Sequence, residues 1–225
     1  MIEGNGINLD YIYTDMGENL NGERNKSGIR DWCRQVGLID DYQQISWVKR
    51  ISEDTKIRMY LIRHKDKDNG LVCVGVCGFT DIDHLNQRAE FSCYIFTNEQ
   101  GNGYATKALQ TLFKHGFDDL NLNMIWGETF DGNPAVDLFT KKLGMLLEGT
   151  RRNFYYKKGK FLDAHLLSIS REEFRNVSLP SVIEINPYDA HHFCDCASDH
   201  LKDYRLSNED ILLKEQKPCK TAAKL

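Results

Sequence analysis

The chain has 225 residues, of which 41% are hydrophobic and 28% charged, a composition typical of a globular protein and not of a disordered or fibrous one. Its 29 basic and 33 acidic residues give a formal charge of -4, which argues against binding to a nucleic-acid backbone. The longest apolar run, residues 71–79, is about half of the roughly 20 residues that a membrane-spanning helix requires, so we expect no membrane partner.

The first third of the chain predicts one strand and two helices. Residues 7–14 alternate between apolar and polar side chains, as in a strand, and the polar, Gly/Asn-rich residues 16–27 predict a loop. A short helix is expected to begin at Ile29, and Asp40 or Asp41 is suited to cap a second one. The apolar stripe of that second helix consists of Trp47, Val48 and Ile51.

Three stretches with strand-like patterns follow, at residues 56–63, 71–81 and 88–97. The turn sequence Asp68-Asn69-Gly70 separates the first two, which predicts a hairpin. We therefore expect an antiparallel meander.

After residue 97 the hydrophobic period changes from 2 to 3.6 residues, which predicts a long amphipathic helix. Its apolar face comprises Ala105, Ala108, Leu109, Leu112, Phe113, Gly116, Phe117 and Leu120. A strand over 124–130 follows, and a helix is expected to open at Gly132-Asn133-Pro134 and to end at Gly144. Residues 145–156 and 161–168 predict two further strands.

A change in composition near residue 175, marked by Pro180 and Pro187, predicts a domain boundary. We expect a core domain over residues 1–174 and a C-terminal appendage over 175–225, with one helix at about 188–204 and a polar tail. The first residues do not show the basic segment followed by an apolar segment that is typical of a secretory signal. The seven cysteines therefore predict reduced thiols and a cytoplasmic location.

The segment that carries chemistry lies between the third meander strand and the long helix, at residues 99–106. Glycines allow a ligand to approach the backbone closely, and the first-turn N–H groups of a helix, at its positive dipole end, favour a pyrophosphate. This pattern predicts a phosphate-bearing cofactor.

Three alternatives compete with that prediction. A Walker loop requires a longer glycine spacing followed by Lys-Ser/Thr, which is lacking here. A dinucleotide fingerprint requires a third small residue at position 106, where Thr stands, and several βα units after it. A glycine-rich turn that binds no ligand also fits the isolated segment.

The sequence at this point resembles the GNAT acyltransferase superfamily, whose Q/R-x-x-G-x-G/A signature is matched by Gln100-x-x-Gly103-x-Ala105. Other segments follow in the order seen in the RimJ/RimL-like branch of N-acetyltransferases, and the resemblance covers residues 7–174. These segments are Ile29-Arg30-Asp31-Trp32, Asp81-Ile82-Asp83, Ala89-Glu90-Phe91, Gly132-Asn133-Pro134-Ala135 and Lys142-Leu143-Gly144-Met145.

The resemblance implies an α/β protein of the α+β type, with a mixed, mostly antiparallel central sheet flanked by helices. The C-terminal helical appendage predicted from composition lies beyond the residues that the resemblance covers. It also implies an acetyl-CoA-dependent N-acetyltransferase, in which a primary amine attacks the thioester directly in a ternary complex. The acceptor is then a protein N-terminus, a polyamine, an amino sugar or another small-molecule amine, and a homodimer is one expected assembly. The sequence does not choose among these acceptors.

Amines with a pKa near 10.4 must lose a proton before they attack, and the resemblance points to Glu90 and Glu128 as catalytic carboxylates. A structural role is an equal alternative for each. Asn133 is expected to contact the cofactor or, alternatively, to cap a helix. The residues implied in cofactor binding are Tyr94, Ile95, Phe96, Gln100, Gly101, Asn102, Gly103, Tyr104, Ala105, Thr106 and Asn133.

The chain departs from the family at the general acid. Many members carry a Tyr where this chain has Thr140, and a Ser found in some is Val136 here. Water can serve instead, because a thiolate is a fair leaving group. The departure motivates an alternative function, a catalytically weak or inactive acyl-CoA-binding or interaction protein on the same fold; an NAD-binding protein is a more distant one.

Two side-chain clusters have simpler explanations. His191, His192, Cys194, Cys196 and His200 fall within ten residues but match no structural zinc spacing, so we expect no metal. The acidic residues Asp40, Asp41, Asp81 and Asp83 would suit a cationic acceptor, but a solvated loop face is the favoured explanation.

Overall fold

The structure is a computed structural model that describes residues 1–13, 17–35 and 37–177, without the side chains of residues 17–19. The cysteine and histidine cluster at 191–200 and the helix predicted at 188–204 lie outside the described residues. The helices are α1 Gly17–Asn25, α2 Ser27–Arg30, α3 Asp41–Glu53, α4 Tyr104–Asp118 and α5 Arg171–Asn176. The strands are β1 Ile2–Gly4, β2 Ile7–Tyr11, β3 Arg58–Lys65, β4 Leu71–Asp83, β5 Arg88–Ile95, β6 Met124–Phe130, β7 Leu146–Lys157 and β8 Lys160–Ser170.

The eight described strands form one mixed sheet in the order β1-β2-β3-β4-β5-β6-β8-β7. Neighbouring strands are antiparallel except β5 and β6, which are parallel because α4 crosses from the end of one to the start of the other. The predicted meander of β3, β4 and β5 is confirmed, and so is the expected α/β class with a mostly antiparallel sheet.

One face of the sheet is covered by α4, whose apolar stripe is buried as the 3.6-residue period predicted. Leu109, Leu112 and Phe113 are fully buried against strand residues such as Phe79 and Ile125. Phe174 of α5 completes this core beside Phe113 and Phe117. Apolar burial of this kind provides the main driving force for folding.

The opposite face is covered by α1, α2 and α3. Leu20 and Ile51 pack there against Met59, Leu61 and Val76 of the meander. Helix α3 begins after Asp40, whose side chain accepts the Gln43 N–H while the Gln43 side chain accepts the Asp40 N–H. Of the two predicted caps Asp40 is therefore the correct one.

Four elements differ from the sequence prediction. Residues 17–25 form α1 instead of a loop, because the burial of Leu20 compensates for a helix rich in Gly and Asn. The helix expected between Gly132 and Gly144 is reduced to a short π-helix, Leu138–Lys142, preceded by turns. Strand β1 and helix α5 were not predicted at all.

Helix α5 ends two residues beyond the predicted domain boundary at 174, and the division into 1–174 and 175–225 stays a prediction. Its N-cap Ser170 and Glu173 form a reciprocal capping box. In the described part of the chain, no helix is long and apolar enough to cross a membrane.

Candidate active site

The site is organised by the separation of β5 from β6. These parallel strands pair only from Arg88↔Met124 to Glu90↔Trp126. Beyond these positions β5 pairs only with β4, and β6 only with β8 as far as Phe130. A gap between two facing strand edges results, and we refer to it as the β5–β6 gap.

Every second residue at the end of β5 directs its backbone N–H and C=O groups towards this gap. The Phe96 N–H donates to the Val74 carbonyl at 2.8 Å, so Phe96 is directed towards β4. In an antiparallel ladder alternate residues face away from the partner, which directs the N–H and C=O of Cys93 and Ile95 towards the gap. Of the predicted residues Tyr94, Ile95 and Phe96, Ile95 therefore presents its backbone to a ligand there.

The predicted cofactor loop leads from the end of β5 into α4. Gln100 Nε2 donates to the Ile95 carbonyl at 3.1 Å and so connects the loop to the strand end. Gly101 and Gly103 have φ values of 85° and 74°, in the left-handed region that glycine adopts without strain. Gly103 is the N-cap of α4 and supplies no side-chain cap.

The N-terminus of α4 has the properties of an anion site. The first-turn N–H groups of Tyr104, Ala105 and Thr106 have no acceptor within their own helix, and the dipole is positive at this end. The first turn of α4 contains no acidic side chain. The segment therefore fits a diphosphate, as the glycine pattern predicted.

Other predicted cofactor residues have local partners. The Tyr104 ring stacks on His64 at a centroid distance of 4.7 Å, with its hydroxyl 3.1 Å from His64 Nε2. Asn102 Nδ2 donates to the Glu99 carbonyl at 3.3 Å. Asn133 Oδ1 accepts the Ala135 N–H at 3.0 Å, which is the capping alternative; its contact with the cofactor remains a prediction.

Glu90, the first predicted catalytic carboxylate, is buried at the last position where β5 pairs with β6, and 4% of its side chain is exposed. Its Oε1 accepts Arg34 Nη2 at 2.5 Å and its Oε2 accepts the Thr80 hydroxyl at 3.2 Å. Each carboxylate oxygen has a second lone pair, so these two bonds leave capacity for another donor.

Glu128, the second predicted carboxylate, lies on β6 beyond the last pair with β5 and therefore beside the gap. Its side chain is 6% exposed, accepts Arg151 Nη1, and accepts the Tyr155 hydroxyl at 2.8 Å. Burial raises the pKa of Tyr155, and the Glu128 carboxylate raises it further.

Glu90 and Glu128 lie on the same face of the sheet, because Glu90 is paired with Trp126 and Glu128 is two residues further along β6. Arg34 joins them: Glu90, Tyr155 and Glu128 all favour its charged form and raise its pKa, against a burial effect of the opposite sign. Sequence reasoning missed Arg34, Arg151 and Tyr155, because contacts separated by 56, 23 and 27 residues leave no local pattern.

Lys157 at the end of β7 fixes the segment that carries Arg34. Its ammonium donates to the carbonyl of Cys33, to that of Gln35 at 2.7 Å and to that of Arg30 at 3.4 Å. Desolvation lowers the pKa of Lys157, with smaller opposing effects of Cys33 and Asp31. The β7–β8 hairpin and the segment after α2 are thereby held together.

The structure supplies no replacement for the missing general acid on the helix after Asn133. The Thr140 hydroxyl donates to the Val136 carbonyl at 3.0 Å within the π-helical region, where π-bulges often accompany functional sites. Thr140 is therefore engaged locally.

The four acidic residues predicted near the acceptor separate into two groups. Asp81 and Asp83 line a cleft of about 820 Å³ that also contains Trp126 and Arg151. Asp40 and Asp41 belong instead to the start of α3, where Asp41 accepts the Asn21 amide. Among the residues with described positions, no cluster of histidine, cysteine and acidic side chains fits a metal ion.

Comparisons with known proteins agree with this geometry. A family model described as an acetyltransferase (GNAT) domain matches residues 16–146. The chain is 31% identical over 131 residues to the uncharacterized N-acetyltransferase p20 of Bacillus licheniformis, covering 58% of this chain and 71% of that protein. It is 28% identical over 157 residues to spermidine N(1)-acetyltransferase of Escherichia coli K12, covering 68% and 78%.

Among solved structures, the spermidine N-acetyltransferase of Vibrio cholerae in complex with CoA and spermine matches with a TM-score of 0.69 at 18% identity. The match covers 76% of this chain and 99% of that chain, and at this identity it shows the fold. The alternative of an inactive acyl-CoA-binding protein finds no support in these comparisons. The chain belongs to the GNAT acetyltransferase family, and it is an N-acetyltransferase that transfers the acetyl group of acetyl-CoA to an amine.

Proposed function

We propose that the acceptor is a primary amine that reaches the β5–β6 gap from the face of α1–α3, while residues 100–106 hold the diphosphate of acetyl-CoA. The observation that carries this proposal is the juxtaposition at one gap of an anion-binding helix N-terminus, an open strand edge and two buried carboxylates. A cytoplasmic location and a homodimer stay predictions.

The cofactor would be held by backbone groups more than by side chains. The N–H groups of the first turn of α4 would bind the diphosphate, with the positive φ of Gly101 and Gly103 allowing the close approach. When bound, acetyl-CoA supplies an acetyl thioester, which is activated towards amines. The Ile95 N–H would donate to the carbonyl oxygen where negative charge develops.

Glu128 and Glu90 would remove the proton from the ammonium form of the acceptor. Glu128 is the stronger candidate, because it lies beside the gap whereas Glu90 lies where β5 and β6 are still paired. Arg34 would hold the Glu90 carboxylate in place through its hydrogen bond, as a positioning residue. The Tyr155 hydroxyl, which donates to Glu128 at 2.8 Å, would serve as the proton donor to the leaving thiolate.

A pair of substitutions at Gly103 tests the diphosphate site. Asn and Asp have the same shape and both tolerate a positive φ, but only Asp places a negative charge at the N-cap of α4. We expect Gly103→Asp to weaken acetyl-CoA binding by calorimetry at least tenfold relative to Gly103→Asn. Gly6→Asp, at a positive-φ position of the β1–β2 turn with no atom that an added Cβ would contact, is the control. Equal affinities of the two Gly103 variants would contradict the proposal.

A further inference from the structure

A second cavity, distinct from the cleft lined by Asp81 and Asp83, lies on the face of α1–α3. It has a volume of about 390 Å³ and is lined by the end of α1, by Gln35 and residues 37–39, and by the first three turns of α3. We call it the α1–α3 cavity. Its size is within the range of small-molecule sites in proteins.

The α1–α3 cavity contains buried polar groups that lack partners. Gln44 is fully buried, and within the described part of the chain neither its amide nitrogen nor its amide oxygen forms a hydrogen bond. The same holds, among the described residues, for Gln35 Oε1 and Arg24 Nε. Buried polar atoms are nearly always hydrogen-bonded and are costly when they are not, so three such side chains around one cavity indicate a ligand.

The charge of the α1–α3 cavity specifies the kind of ligand. Arg24 and Arg50 line it, and its described lining includes no acidic residue. The Arg24 guanidinium lies 5.9 Å from the Trp47 ring centroid and 5.8 Å from that of Tyr94, and no carboxylate in the described ranges pairs with it. Two arginines with free donors favour a carboxylate or a phosphate.

The cleft of about 820 Å³ has a different charge distribution. Two of its three lysine and arginine side chains are matched by acids: Arg151 contacts Glu128, and Arg88 lies 3.5 Å from Asp83. Glu148 accepts the Ser168 hydroxyl at 2.6 Å. The α1–α3 cavity therefore has the stronger preference for an anion.

The α1–α3 cavity adjoins the candidate active site. Gln35 in its wall directly follows Arg34, whose guanidinium binds Glu90. Arg24 extends from the cavity to the ring of Tyr94 on β5, the strand that borders the gap. A ligand in the cavity can thus extend towards the gap along the same face.

We propose that the α1–α3 cavity binds a carboxylate or phosphate group of the acceptor, so that this enzyme acetylates an anionic amine and not a polyamine. The proposal rests on the proposed function, since it assigns the acceptor of the same site. It separates this chain from its spermidine-acetylating relatives by the charge of the acceptor.

The test compares three amines of similar length with the full-length chain: 4-aminobutanoate, 3-aminopropyl phosphate and 1,4-diaminobutane. We expect calorimetry without acetyl-CoA to show that at least one anionic amine binds ten or more times more tightly than the diamine. A preference for the carboxylate or for the phosphate identifies which anion the cavity recognises. A diamine that binds equally well or better overturns the proposal.

Variants on α3 locate the binding. Arg50→Gln and Lys49→Gln remove the same charge from adjacent exposed positions, but only Arg50 lines the cavity. We expect Arg50→Gln to weaken binding of the preferred anion at least tenfold, and Lys49→Gln less than twofold. Gln44→Leu should weaken that binding while leaving the melting temperature equal or higher, since it removes unpartnered polar atoms. Equal effects of the two charge variants overturn the proposal.

Failure of this inference is distinguishable from failure of the proposed function. Acetylation of the diamine by the unchanged chain at least as fast as of either anionic amine would leave the N-acetyltransferase site intact and remove the anion-binding cavity. If neither the wild type nor either Gly103 variant bound acetyl-CoA, the site proposed at residues 100–106 would be wrong. That result does not depend on the calorimetry with amines.

Discussion

The two faces of the sheet are built differently. On the face of α4, the aromatic rings of Phe91, Phe113 and Phe139 pack edge to face with centroid distances of 5.1 to 5.4 Å, within a large cluster of apolar side chains. On the face of α1–α3, buried Glu90 and Gln44 lie among arginines. The comparison indicates that the first face supplies stability and the second supplies chemistry, because buried polar groups cost free energy that apolar packing elsewhere must offset.

The largest effect should come from removing a carboxylate on the face of α1–α3. We expect Glu128→Gln to lower kcat by about 10²- to 10⁴-fold at pH 7 by loss of general-base catalysis. The deficit should shrink as the pH approaches the pKa of the acceptor amine, since the amine then arrives deprotonated. The pH dependence of kcat in steady-state assays measures this.

Glu172→Gln, at an exposed position of α5, is the matched control for the Glu128 variant and should leave kcat unchanged. Glu90→Gln should show the same pH behaviour if Glu90 also accepts the proton. A pH-independent loss in either variant would assign that glutamate a structural role instead.

The next largest effect should come from the apolar face and should affect stability. Phe113→Ala removes a fully buried ring and is expected to lower the free energy of unfolding by about 3–5 kcal/mol. Urea denaturation measures this change. Phe161→Ala, at a ring that is 63% exposed, serves as the control and should cost far less. If folded Phe113→Ala lost kcat as strongly as Glu128→Gln, the division of roles between the faces would be wrong.

A smaller effect is expected at the start of α3. Asp40→Ala removes the N-cap and should lower the free energy of unfolding by about 1 kcal/mol, whereas Asp40→Asn, which keeps an accepting oxygen, should cost little. Thermal or urea denaturation of both variants tests this. Equal losses in the two would show that charge, and not the capping hydrogen bond, matters at this position.

The smallest effect concerns the reactivity of Cys33. Burial raises the pKa of its thiol, with smaller opposing effects of Arg24, Lys157 and Arg34. Since the thiolate is the reactive form, alkylation of Cys33 by iodoacetamide should require a higher pH than in the unfolded chain, and Lys157→Met should increase that difference. Peptide mass spectrometry after timed alkylation measures the rate at each pH. If the midpoint of the pH dependence of Cys33 alkylation in the folded chain were at or below that of the unfolded chain, the prediction would be wrong.

The sequence predicted those features that depend on local patterns. The period of α4 and the alternation of β3–β5 reflect one buried face each, so the main sheet and its long helix follow from hydrophobic spacing. The loop at 100–106 was also predictable, because its glycines and the helix that follows are adjacent in the chain.

Features that depend on distant contacts were not predictable from the sequence. Helix α1 has weak intrinsic propensity and forms because Leu20 is buried beneath α3. Likewise, the pairing of Arg151 with Glu128 arises from the sheet order, which places β6 and β7 on either side of β8. The pairing of Arg34 with Glu90 arises because the segment after α2 reaches β5. The partners of the two glutamates therefore required the structure, whereas the glutamates themselves did not.

The ammonium of Lys157 has three N–H donors and meets three backbone carbonyls, so its hydrogen-bonding capacity is fully used. Changes in the turn at residues 158–159 would consequently be transmitted to the position of Arg34, although that turn is far from the reacting atoms in the sequence. Evolution or design could therefore retune acceptor choice by altering the length of one hairpin, without replacing any residue that contacts the substrate.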